Sequence, residues 1–206
     1  AMGRKYLWLS FQNRLNRLDE RNRPVPYYLF NDDINITAIC EASDGMIYVG
    51  TRDHGLLTLD SNRKVSSVIK AIDVVCIFED AEHMIWVGSS RNGLYRVGKN
   101  RIVNYRSDAR DENTLSNDFV RCINQDNRGN YWIGTFHGLN RFDPITERFT
   151  RYYHSDTQSN SLGDNSIWCI TRDRQGTMWI GSFYGCVNKF NPDYLFDHYY
   201  TPGTPG

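Results

Sequence analysis

The residue types in this 206-residue chain that could do chemistry recur at fixed places. Cys76, Cys122 and Cys169 each precede an isoleucine, Asp80, Asp126 and Asp173 follow four residues later, and Thr51, Ser89, Thr135 and Ser182 follow a glycine. Taken singly, these residues suggest disulfides or a thiolate metal site, an acid cluster, and a nucleophile on a tight elbow. Recurrence argues against all three. A group needed once for catalysis has no reason to return in every copy of a repeat, whereas a group that builds the repeat must return. No Cys-x-x-Cys or Cys/His ligand spacing is present, and no base accompanies the hydroxyls. The expectation is that the three cysteines are small buried core residues, at a place Ala38 fills in another copy. The aspartates should shape turns, and the hydroxyls should bond the backbone at strand edges. Cys40 and Cys186 fall outside this register.

The elements that position these residues come from an internal repeat. Met46–Thr51 (MIYVGT), Met84–Ser89 (MIWVGS), Asn130–Thr135 (NYWIGT) and Thr177–Ser182 (TMWIGS) align. Their aromatic anchors Tyr48, Trp86, Trp132 and Trp179 lie 38, 46 and 47 residues apart, followed by Gly50, Gly88, Gly134 and Gly181. A degraded copy stands upstream at Trp8, where Leu15–Asp19 matches Leu139–Asp143. Each unit supplies four short strand signals, rich in β-branched and aromatic residues and punctuated by Gly, Asn and Asp. No sustained 3.6-residue apolar period appears, so almost no helix is expected.

Turn chemistry supports the same unit. Asp126-Asn127-Arg128-Gly129 and Asp173-Arg174-Gln175-Gly176 carry Asp first and Gly fourth, the preference of a type I turn. His83 takes the glycine's place in one copy, and the Tyr48 copy slides the pair to Asp44-Gly45. Leu115 and Leu162 sit at one offset in two polar connections, as plugs in the packing. The fold class read from this pattern is all-β: a β-propeller fragment of four-stranded antiparallel blades, four full and one partial at the N-terminus. The partial blade covers 5–30, and the full blades cover about 34–70, 71–107, 116–153 and 164–200. Residues 1–4 read as a cloning scar and 201–206 as a linker cut part-way. The partial blade has no innermost strand of its own, so the ring is expected to stay unfinished and its open edges to favour self-association.

The motif Cys-Ile-x-x-Asp-x-x-Gly-x-x-Trp-Ile-Gly-Thr, then Gly-Leu-Asn-Arg-Phe-Asp-Pro, Phe-x-x-Tyr and Asn-Ser-Leu, resembles the two-component regulator propeller repeat. Isoleucine or valine after the tryptophan separates it from the WD40 repeat. The resemblance spans about Lys5 to Tyr200 and is strongest over Asn113–Phe190. It departs at Tyr48, His83 and Cys186, where the repeat has Trp, Gly and Gly. It implies a periplasmic sensor region ahead of a membrane-spanning helix, with a histidine kinase beyond, as in the hybrid sensors of Bacteroides. Many of those sensors control polysaccharide-utilisation genes.

Repeated positions serve the scaffold, so binding is expected at the positions that vary. The loops between second and third strands carry Arg52, Asp53 and His54; Arg91 and Asn92; Phe136 and His137; Phe183 and Tyr184. Inter-blade connections on the same face add Phe119 and Trp168. Such residues suit an oligosaccharide or other small polar ligand, because ring faces stack on sugars while polar groups fix hydroxyls. No catalytic residue, metal or cofactor is expected; His54 and His137 match in repeat position but stand two blades apart. With 24 cations against 24 anions and no basic run, neither nucleic acid nor an anionic membrane is an expected partner. The expected partners are the remaining blades, the kinase portion and a second copy; the alternative to sensing is a non-catalytic interaction or dimerisation scaffold.

Overall fold

The computed structural model describes residues 6–190 and, as a strand without side chains, 197–200; the expected scar and linker lie outside the described residues. The fold is all-β, with no helix among the described residues. Strands β1 (Trp8–Phe11), β2 (Arg14–Leu18) and β3 (Pro24–Leu29) form a three-stranded antiparallel sheet. A second sheet holds β4 (Asn35–Glu41), β5 (Ile47–Arg52), β6 (Leu56–Leu59) and β7 (Val65–Ile69) in sequence order. The third holds β8 (Val74–Glu79), β9 (Ile85–Ser89), β10 (Leu94–Val97) and β11 (Ile102–Tyr105). The fourth holds β12 (Val120–Gln125), β13 (Tyr131–Thr135), β14 (Leu139–Asp143) and β15 (Arg148–Tyr152). The fifth holds β16 (Ile167–Arg172), β17 (Met178–Ser182), β18 (Val187–Phe190) and β19 (Asp197–Tyr200). The chain divides into two compact units, Ala1–Val87 and Gly88–Gly206, with the boundary inside β9.

Each unit is built by stacking sheets face to face. In the first, Leu15 from the first sheet packs with Ile36, Ile47, Val49, Leu57 and Leu59 from the second. In the second, Trp132 and Leu139 pack with Ile167, Ile170, Met178, Ile180 and Phe190. A second strand covered on both faces explains why β9 and β13 are buried at every position and read as unbroken apolar runs. First strands of successive sheets touch, β4 with β8 and β12 with β16. Glycine permits that approach: a Cβ on Gly134 would stand 2.5 Å from Ile167 Cγ2.

The recurring aspartates hold turns, and they do more. The oxygen Asp126 Oδ1 accepts from the Arg128 and Asn130 amides, both at 2.9 Å, while Oδ2 takes the Trp132 Nε1 proton at 2.9 Å. Asp80 and Asp173 repeat this with Trp86 (2.7 Å) and Trp179 (3.0 Å). The fourth residue of the turn lies in the left-handed region, φ 85° at Gly129 and 65° at His83, so His83 occupies a conformation that suits glycine. In the Tyr48 copy the turn has not slid. Ala42 takes the aspartate's place, closing the same backbone bonds through Met46 and Gly45. Carboxylate and indole are thus replaced together. Trp8, with no aspartate in its hairpin, donates instead to Glu41 Oε2 at 2.7 Å.

The hydroxyls after glycine bond backbone carbonyls: Thr51 to Gly55 (2.7 Å), Ser89 to Gly93 (2.9 Å), Thr135 to Gly138 (2.8 Å) and Ser182 to Cys186 (3.1 Å). Leu115 and Leu162 are fully buried plugs. The Cys186 departure has a partner. In the fourth sheet Ser116 Oγ accepts from buried Asn140 Nδ2 at 2.8 Å. In the fifth, Gly163 stands where Ser116 does, because a Cβ there would meet Cys186 Cβ at 2.8 Å, and buried Asn188 Nδ2 is left without a partner.

The cysteine expectation needs correction. All five are free, but Cys76 and Cys122 are only half-buried and Cys169 is exposed; Cys186, off the register, is the buried one. Cys122 and Cys169 face Gly134 and Gly181 across the strand pair, filling the space those glycines leave. The fifth sheet follows Cys122 and half-covers it, while no described sheet follows Cys169.

One connection is tied by an imidazole. His154 Nδ1 lies 2.6 Å from the Leu162 carbonyl and Nε2 2.9 Å from Asp156 Oδ1. Two acceptors require both nitrogens to carry protons, and the Leu162 carbonyl first, then Asp156, raise the His154 pKa above its ordinary 6.5. A raised folded pKa gives stabilisation that is complete below the unfolded value and is lost as pH rises through the folded one. The amides of Ser155–Leu162 are therefore expected to gain exchange, corrected for intrinsic rates, between pH 6 and pH 9. His154→Gln should remove that pH dependence; a loop equally protected at both pH values in the unsubstituted protein would refute the tie.

Candidate functional site

The register of the first strands decides what reaches the binding face. Pairing skips a residue between Ile36 and Ala38, between Val120 and Cys122, and between Ile167 and Cys169. The extra residues are Thr37, Arg121 and Trp168, and a bulge re-aims its side chain. Two of them bond the start of the following sheet's first strand or the residue before it: Thr37 Oγ1 donates to Val74 O at 2.6 Å, and Arg121 Nη1 to Ser166 Oγ at 2.8 Å. Trp168 is thus on β16, not in a connection as the sequence suggested. Its ring is 55% exposed.

Arg121 organises the second unit's loops. Its guanidinium carbon lies 4.9 Å from the Phe119 ring centre, 5.0 Å from Phe136 and 4.7 Å from Trp168. Phe119 and Phe136 are parallel within 7° at 6.1 Å, and Trp168 continues to Phe183 (5.6 Å) and Tyr184 (5.2 Å beyond). Burial among these rings pulls the Arg121 pKa down from its ordinary value, and its Nε has no partner. Arginine keeps its proton under such a shift, so the cluster holds a positive charge, which the Asp164 carboxylate favours from a distance. Phe136, Phe183 and Tyr184 are 52%, 58% and 72% exposed, so five of the expected residues meet here in one aromatic surface.

The other expected residues divide. His137 packs on Tyr153 at 5.5 Å beside the cluster. Arg91 and Asn92 serve their own hairpin: the Arg91 carbonyl accepts from Arg106, the Asn92 amide bonds Ser89 Oγ, and the Asn92 carbonyl accepts from Asn104. In the first unit, His54 Nε2 lies 3.0 Å from Asp33 Oδ2, Asp53 adopts φ 66°, and Arg52 ends β5. Sequence reasoning missed Arg121, whose signal was its place immediately before the repeated cysteine, where the residue type changes from copy to copy.

Residues 29–53, 114–137 and 161–184 match the family model of the two component regulator propeller. No curated protein matches the chain. Among solved structures, the extracellular domain of a hybrid two component system from B. thetaiotaomicron is similar, with TM-score 0.76 and 22% identity over 99% of this chain; the chain spans 28% of that one. Virginiamycin B lyase from Staphylococcus aureus is similar over 97% of this chain and 67% of its own, at TM-score 0.73 and 13% identity. At these identities the likeness is one of fold. The second and third matched segments run from the plugged connection through the aspartate turn to the loop after the glycine, so the fold is that of propeller-like structures and these three segments match the two component regulator propeller repeat.

Proposed function

We propose that this module is part of the sensing region of a two-component signalling protein in the periplasm, and that the Arg121 cluster binds a saccharide. The observation that carries the reading is a row of exposed rings: Phe136 and Trp168 lie against one guanidinium, and Phe183 and Tyr184 continue the row from Trp168. Exposed apolar rings held in fixed register favour a ligand with both C–H faces and hydroxyls, which can cover the rings without losing its own hydrogen bonds. The role is binding without catalysis. The repeated hydroxyls bond carbonyls, and the repeated carboxylates are engaged by turn amides and indoles.

Calorimetry against a panel of neutral and acidic oligosaccharides tests this. At least one is expected to bind, and Trp168→Ala and Tyr184→Ala should each weaken it about tenfold or more, as loss of a stacking anchor does. No heat from any saccharide, together with a stable self-associated species, would favour the interaction scaffold instead.

A further inference from the structure

The first unit carries a separate feature that the repeat does not require. Arg14, Leu15 and Asn16 of β2, Pro26–Leu29 of β3, and Arg63 from the turn between β6 and β7 line a groove of about 420 Å³. That volume is in the range that holds one small ring. Leu15 pairs with Tyr28 and Asn16 with Pro26, so Tyr27 is the extra residue of a β-bulge. The Tyr27 ring meets the Trp8 ring edge-on at 4.8 Å and carries the Arg63 guanidinium over its face at 4.9 Å.

Charge decides what the groove would take. Arg63 sits at φ 63° in a turn whose acid, Asp60, is occupied: its Oδ1 accepts from the Asn62 and Lys64 amides at 2.9 and 2.8 Å. Arg14 and Arg63 have no ion pair with any described carboxylate, and no carboxylate lines the groove. Stacking on a ring leaves the donors in the guanidinium plane free. The stacked Arg63 fork and the Arg14 side chain, beside the Asn16 amide and a tyrosine wall, are complementary to an anion on a compact ring. We infer that this groove is a second ligand site, for a small ring carrying a sulfate or phosphate group.

The probes are glucose 6-sulfate, glucose 6-phosphate and glucose, titrated by calorimetry. At least one anion should bind tenfold or more tightly than glucose, and which one binds identifies the group preferred. Arg14→Gln and Arg63→Asn, the latter chosen because asparagine tolerates positive φ, should each weaken that binding about tenfold with unchanged circular dichroism. Equal affinity for glucose and both anions, or binding indifferent to both substitutions, would overturn the site. Trp168→Ala should leave this binding unchanged, so the two sites stand or fall separately.

Discussion

Asp126→Ala is expected to cost about 2–4 kcal/mol, far more than an ordinary turn substitution, because one buried carboxylate serves two structures. Its Oδ1 closes the β12–β13 turn on two amides, and its Oδ2 takes the proton of a buried indole. Exposed turn amides turn to water when the carboxylate goes. The Trp132 N–H cannot, and a buried donor left unmet carries most of the loss. The cost should therefore shrink by about 1–2 kcal/mol when Asp126→Ala is made in a Trp132→Phe background. The second sheet carries a comparable pair, with Ala42 in the aspartate's place and Tyr48, which has no indole N–H, in the tryptophan's. Urea unfolding of the four proteins gives the coupling energy. Additive costs would show that the aspartate acts on the turn alone. The same bond is visible at Asp173, whose carboxyl is held below the usual range first by the Trp179 indole.

What the sequence showed and what it hid follow from this division. Strands, turns, leucine plugs and carbonyl-bound hydroxyls repeat, and repetition exposes them because each copy meets the same neighbours. Arg121 was hidden because a bulge changes the phase of alternation by one residue, and alternating patterns do not mark which residue is extra. The ring cluster was read as loop residues on one face, but its centre was not, since Phe119, Phe136 and Trp168 converge on a strand residue. The cysteines were misjudged because repeat position fixes what a side chain faces, while its burial depends on which sheet comes next. Ala42 was missed because Asp44 imitates the motif's aspartate two residues late, while Gly45 keeps the glycine's own place, and only the backbone bonds show where the turn closes.

The same dependence on the following sheet makes one substitution unequal in two copies of the motif. Gly134→Ala should cost about 2–3 kcal/mol, the range of an overpacked core, because the new methyl would meet Cys122 Sγ on its own sheet and Ile167 Cγ2 on the next. Gly181→Ala, at the equivalent place, would meet only Cys169 Sγ at 2.8 Å, and that side chain is exposed and able to turn away. Its cost should stay below about 1 kcal/mol. Cys169→Ala should make Gly181→Ala nearly neutral, whereas Cys122→Ala should relieve only part of Gly134→Ala, since Ile167 remains. Unfolding midpoints of the four variants measure this, and equal costs at the two glycines would refute close sheet stacking as the cause. Gly134→Ala should also reach the binding face. Any shift of Ile167 moves Ser166, which holds Arg121 at 2.8 Å, and Trp168, which covers it. Saccharide affinity should therefore fall with Gly134→Ala and hold with Gly181→Ala, although glycine 134 lies in the core and touches no ring of the cluster.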